Sequence, residues 1–122
     1  KIRFVSPNYF KPTDLDQFDV EYFDNLEAGI SNVDIVMMLR IQNERIKEAS
    51  VPSANAYFND FGLTYEKLKR AKPDALIMHP GPINRNVEIE SSLADDLDKS
   101  LINEQVENGV SIRMACLAIM TK

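Results

Sequence analysis

The sequence predicts an α/β domain built on an open, mostly parallel sheet with helices on both faces. Short apolar runs alternate with amphipathic stretches, the pattern of strands joined by crossover helices. One run, Ile35-Val36-Met37-Met38-Leu39, is apolar at every position, as a central strand covered on both faces would be. Two polar clusters stand directly after apolar runs, where an open parallel sheet keeps its ligand site.

The elements follow in order. Ile2-Arg3-Phe4-Val5 is a strand closed by Ser6-Pro7-Asn8, and Pro12-Thr13-Asp14 opens a short helix with Leu15 and Phe18 as its apolar positions. Val20-Glu21-Tyr22-Phe23 is a second strand, followed by a brief helix from Asn25 to Ser31 and by the Ile35–Leu39 strand. Asn43 to Ser53 is polar and charged, and a helix spans Ala54 to Phe61, ended by Gly62 at the C′ position. Thr64 caps a helix through Arg70, with Lys67, Lys69 and Arg70 near its C-terminus, where the macrodipole favours cations. After Pro73-Asp74 comes a fourth strand, Ala75-Leu76-Ile77-Met78, and then a long loop. Leu101 to Met120 is helical, with a possible break at Gly109 and an apolar stripe of Ile102, Val106, Val110, Met114 and Leu117.

The 122 residues suit one small domain, 44% hydrophobic and 27% charged. A net charge of −5 with scattered basic residues argues against a nucleic-acid partner, although one local arginine can still hold a small anion. The longest apolar block is far short of the roughly 20 residues a spanning helix needs, so no membrane segment is expected. One cysteine, Cys116, points to a reducing cytoplasm and, lying in an apolar helical stretch, reads as a buried small hydrophobe. With four glycines and no G-x-G-x-x-G, the sequence lacks a dinucleotide fingerprint, and no P-loop, zinc-ligand spacing or serine–histidine–acid signature appears. The acid runs at Glu88 to Glu90 and Asp95 to Asp98 read as solvated faces, and Tyr57, Phe58 and Phe61 as core.

Arg40 is the first polar residue after the Ile35–Leu39 run. Its planar guanidinium suits a carboxylate or phosphate, and the alternative is an arginine snorkelling to solvent at the strand end. Gln42 can project to the same side. The second cluster is His79-Pro80-Gly81-Pro82-Ile83-Asn84-Arg85, where two prolines flank a glycine in a loop of little freedom. Gly81-Pro82 is a candidate cis bond. Such a loop serves either as a structural turn or as a rigid presenter of backbone carbonyls, and His79 as scaffold or base. If the two preceding strands are parallel, both clusters emerge on one edge.

Taken together, these segments resemble the aspartate carbamoyltransferase family. The resemblance rests on Asp34-Ile35-Val36-Met37-Met38-Leu39-Arg40-Ile41-Gln42-Asn43-Glu44-Arg45 and on Met78-His79-Pro80-Gly81-Pro82-Ile83-Asn84-Arg85. Gln105-Val106, Asn108-Gly109-Val110 and Ile112-Arg113-Met114-Ala115 extend it, and it spans residue 1 to about residue 120 in order. It implies the Rossmann-like aspartate-binding domain of a carbamoyltransferase. Arg40 and Gln42 would then hold the carboxylates of L-aspartate, and the carbonyls of Pro80 and Gly81 would accept from the amino group of carbamoyl phosphate. His79 and Pro82 would shape that loop, and Glu44 and Arg45 would lie in a segment that moves on closure. The implied reaction is attack of the aspartate amine on carbamoyl phosphate, with no cofactor.

The resemblance also implies a homotrimer, with regulatory chains or dihydroorotase as candidate further partners. It implies that residues 1–122 form an aspartate-binding domain incomplete at its N-terminus, without the carbamoyl-phosphate-binding half and inactive alone. Ornithine carbamoyltransferases are the nearest competing family. Arg40-Ile41-Gln42 suits a second carboxylate better than a cationic amine, and the His79 loop lacks the cysteine usual in the ornithine enzymes. A non-catalytic homologous scaffold and a simple dicarboxylate-binding domain also compete. Asn86 stands where family members commonly have glycine, and asparagine tolerates positive φ well enough for the turn to persist.

Overall fold

The computed structural model describes residues 1–42 and 53–121. β1 (Ile2–Val5) pairs in parallel with β2 (Val20–Phe23), with Ile2 opposite Val20 and Val5 opposite Phe23. β3 (Ile35–Met37) pairs in parallel with β4 (Leu76–Met78), with Val36 opposite Ile77. Both of these strand pairs are parallel, as the sequence pattern requires. Among the described residues the strands form two ladders. The ladders flank a mainly apolar cavity of about 460 Å³, lined by Phe4, Val5, Ile30, Val36, Met38 and Arg40 among others.

The helices start where local chemistry dictates. Asn25 Oδ1 accepts from the Ala28 N–H at 2.9 Å and opens α1 (Leu26–Gly29). Ser53 caps α2 (Ala54–Phe61), and Thr64 Oγ1 accepts from the Lys67 N–H to cap α3 (Tyr65–Leu68). Each cap satisfies an amide that the helix leaves without an internal partner. α4 (Ser91–Ala94) forms inside the stretch expected to be loop, and the expected helix after Pro12 is a single 3-10 turn, Leu15–Gln17. α5 (Ile102–Met120) is continuous through Gly109, whose mid-helix cost of about 1 kcal/mol is too small to break a long helix.

The core gathers Leu26, Ile30, Val36 and Met38 with Leu63, Ile77, Ile89 and Leu93, the last four fully buried. Several expectations fail here for one reason: burial depends on which element arrives from elsewhere in the chain. Val36 and Met38 are buried, but Ile35, Met37 and Leu39 are 54%, 52% and 57% exposed, so the described residues cover one face of β3 only. Along α5 only Ile102 is buried, while Val106, Val110, Met114 and Leu117 stay exposed because no described element packs on that stripe. Cys116 lies on the same helix and is exposed, not buried.

Gly62 ends α2 without the left-handed turn of a C′ glycine, since its φ is −66°. It is there for space: a Cβ would lie 2.2 Å from Phe58 Cδ2 and 2.6 Å from the Phe58 carbonyl oxygen. Lys67 also acts away from its own helix. Its ammonium donates to the carbonyls of Phe58, Asn59 and Gly62, neutralising the C-terminal end of α2. The Tyr57 ring stacks on Phe61, and burial raises its hydroxyl pKa to about 12.

Candidate functional site

The parallel pairing of β3 and β4 sends both polar clusters out of the same sheet edge. The last ladder contact is the Met38 N–H to the Met78 carbonyl at 2.9 Å. From there one arm continues through Leu39, Arg40, Ile41 and Gln42, and the other through His79 to Asn84. They meet again further on, where the Asn84 Nδ2 donates to the Ile41 carbonyl at 2.9 Å. Arg40 is half-buried and borders the apolar cavity, and Gln42 is exposed. Glu44 and Arg45, assigned from sequence to a closing segment, lie outside the described residues.

The proline loop is held from inside. His79 is fully buried, and its backbone N–H donates to Gln105 Oε1 of α5 at 2.8 Å. Its Nδ1 accepts from the Gly81 N–H at 2.9 Å. An amide can only donate, so Nδ1 carries no proton and the ring proton sits on Nε2. Nε2 faces Glu88 Oε1 at 3.4 Å. Glu88 is also fully buried, and its Oε1 accepts from the Asn84 N–H. Among the described residues His79 Nε2 and Glu88 Oε2 make no formal hydrogen bond, so the two meet as neighbouring buried polar groups.

The Gly81–Pro82 bond is cis, and Gly81 has φ +63°, with room for a Cβ only 3.0 Å from Val106 of α5. Glycine is needed there on both counts. Asn86 holds φ 58° where the resemblance anticipates a turn, and its Oδ1 accepts from the Ser91 N–H at 2.9 Å. Arg85 points away from the loop and forms a two-pronged pair with Asp95 at 2.6 and 2.8 Å. That pairing holds the Asp95 carboxyl below its usual range. Among the described residues no cluster of histidine, cysteine and acid side chains is suited to a metal ion, and no helix is long and apolar enough to cross a membrane.

The family model for the Asp/Orn binding domain of aspartate/ornithine carbamoyltransferases matches residues 2–120. The chain belongs to that family. It is 52% identical over its whole length to the aspartate carbamoyltransferase catalytic subunit of Parvibaculum lavamentivorans, of which it covers 37%. The corresponding subunit of Roseobacter denitrificans is 48% identical, with 39% of it covered. The chain thus spans less than two-fifths of these relatives. In fold, the aspartate transcarbamoylase of Trypanosoma cruzi solved with N-(phosphonacetyl)-L-aspartic acid aligns over 94% of this chain and 38% of that one, with TM-score 0.74 and 23% identity. An ornithine carbamoyltransferase from Campylobacter jejuni aligns over 98% of this chain and 42% of that one, with TM-score 0.78 and 17% identity. The α/β fold predicted from the sequence is that of these carbamoyltransferases.

Within this family domain, the structure brings the Arg40 and His79 clusters together through residues that sequence reasoning does not single out. Asn84 is one member of a motif, and the acid run containing Glu88 reads from sequence as solvated. Glu88 is instead sealed against the sole histidine. The available signal is chemical: a histidine directly after a buried strand is a polar ring taken from water, and Glu88 is an acid on the same loop. The second acid run is structural too. Asp96 accepts from the Tyr65 hydroxyl at 2.6 Å and from the amides of Asp98 and Lys99.

Proposed function

We propose that this chain is the aspartate-binding portion of an aspartate carbamoyltransferase catalytic subunit. The observation that carries the reading is the convergence of Arg40-Ile41-Gln42 and the His79–Pro82 loop at the ends of two parallel strands, joined by the Asn84–Ile41 hydrogen bond. The names of the relatives from Parvibaculum lavamentivorans and Roseobacter denitrificans support it.

In the proposed reaction Arg40 and Gln42 hold the aspartate carboxylates, the arginine through its planar donor fork. The carbonyls of Pro80 and Gly81 accept from the amide of carbamoyl phosphate, in a backbone shaped by His79 and Pro82. The aspartate amine attacks the carbonyl carbon, the bond from that carbon to the phosphate oxygen breaks, and the amine loses a proton. The products are N-carbamoyl-L-aspartate, a precursor in pyrimidine biosynthesis, and phosphate. Positioning two substrates and stabilising the tetrahedral intermediate supply the acceleration, without a cofactor. Glu44 and Arg45 belong to the segment that moves on closure. The full-length protein is a cytoplasmic homotrimer, with regulatory chains or dihydroorotase as candidate associates.

The test is Arg40→Ala in the full-length chain. Removing a charge-assisted contact of about 1.5–3 kcal/mol should raise the aspartate KM roughly 10- to 100-fold. Carbamoyl phosphate binding should stay near the parent value. Unaltered aspartate saturation removes Arg40 from the site, and turnover of ornithine in place of aspartate replaces this reading with the ornithine-type one.

A further inference from the structure

Ile41 lies between the two side chains that the proposed function assigns to aspartate, and its carbonyl is tied across to the opposite arm of the site. The donor is Asn84 Nδ2 at 2.9 Å. Asn84 is itself anchored, because its backbone N–H donates to the fully buried Glu88 carboxylate. Glu88 in turn is fixed at its backbone, where its carbonyl accepts from the N–H of the fully buried Leu63 at 2.9 Å. A continuous set of bonds therefore runs from the core, through Glu88 and Asn84, to the backbone between Arg40 and Gln42. The same carboxylate faces His79 Nε2 at 3.4 Å, so one buried group supports both arms.

From this geometry we infer that Asn84 is a positioning residue for the amino-acid substrate. It keys the Arg40-Ile41-Gln42 segment to the proline loop and so sets where the carboxylate-binding groups stand relative to the Pro80 and Gly81 carbonyls. The physical argument is one of leverage. Beyond the Met38–Met78 ladder bond the segment leaves the sheet, and an extended backbone drifts unless a second point is fixed. Fixing the Ile41 carbonyl fixes the Ile41–Gln42 peptide plane, which carries the Gln42 Cα directly and stands one residue beyond Arg40. A displacement of about 1 Å at such groups is enough to matter for a bound substrate. The inference rests on the proposed function, since it assumes that Arg40 and Gln42 grip the amino acid.

Two variants of the full-length chain separate this role from simple space filling. Asn84→Ala deletes the donor. Asn84→Asp keeps the shape but puts an oxygen against the Ile41 carbonyl oxygen. Loss of one intramolecular hydrogen bond should raise the aspartate KM about five- to tenfold in the alanine variant, with the carbamoyl phosphate KM changed less than about twofold. The isosteric aspartate variant should be worse than alanine, whereas space filling would make it the milder change. Amide exchange across residues 39–42 should quicken in both variants, a readout independent of turnover. An aspartate variant that matches the parent, or an equal loss for both substrates, overturns the role of Asn84. If the parent does not carbamoylate aspartate at all, the proposed function falls and this inference with it. If the parent is active and both variants match it in kinetics and exchange, this inference alone fails.

Discussion

Glu88 offers the sharpest test of how the site is supported, because its carboxylate is fully buried, accepts from the Asn84 N–H and lies against the fully buried His79 ring. Glu88→Ala would remove the acceptor of the Asn84 N–H and the oxygen that faces the buried His79 Nε2. A stranded donor costs about 1–3 kcal/mol, and the truncated side chain leaves a cavity besides. The lost acceptor and the cavity together should place the alanine variant about 2–4 kcal/mol below the parent. Glu88→Gln is the informative partner. Its amide oxygen can take the place of Oε1 and keep both contacts, while the new NH2 occupies the position of Oε2, which has no hydrogen-bond partner among the described residues. It also removes a buried charge, which offsets the burial of that NH2. The glutamine variant should therefore lie within about 1.5 kcal/mol of the parent. Urea unfolding of the full-length chain, followed by circular dichroism, reads both midpoints. If alanine costs less than about 1 kcal/mol, the stranded-donor argument is wrong. If glutamine is as damaging as alanine, the charge rather than the acceptor is what the loop requires.

Two further outcomes follow from packing and charge. Gly62→Ala should destabilise the chain by about 1–2 kcal/mol by denaturant midpoint, because the new Cβ meets the Phe58 backbone at 2.6 Å and outweighs the entropy gained on leaving glycine; a stabilised variant would show that α2 shifts freely. Asp95 has a folded pKa held below its ordinary 3.8, first by its hydrogen bond from Arg85. Its pairing therefore contributes above the unfolded pKa and is lost as pH falls through the lower folded value. Because the pair is exposed, Asp95→Asn should reduce the acid dependence of unfolding below pH 3.8 only slightly, and an increased dependence would contradict the assigned sign.

The sequence by itself determined the local elements. The apolar runs of β1 to β4 were legible because strand burial leaves a run in the chain whichever partner covers it. The cap at Thr64 was legible because a helix N-terminus is satisfied by a side chain at the helix's own start. The cis Gly81–Pro82 bond and the positive φ of Asn86 are likewise written in one or two residues. The convergence of the Arg40 and His79 clusters needed only parallel strands. Tertiary structure alone decided who meets whom. It buried Glu88 against His79, turned Lys67 back to α2, and joined Asn84 to Ile41, across separations in sequence that no local pattern encodes. It also left Ile35, Met37 and most of the α5 stripe exposed, although their spacing is that of core residues. Periodicity records which side of an element is apolar. Whether that side is buried depends on a second surface, and that surface comes from elsewhere in the fold.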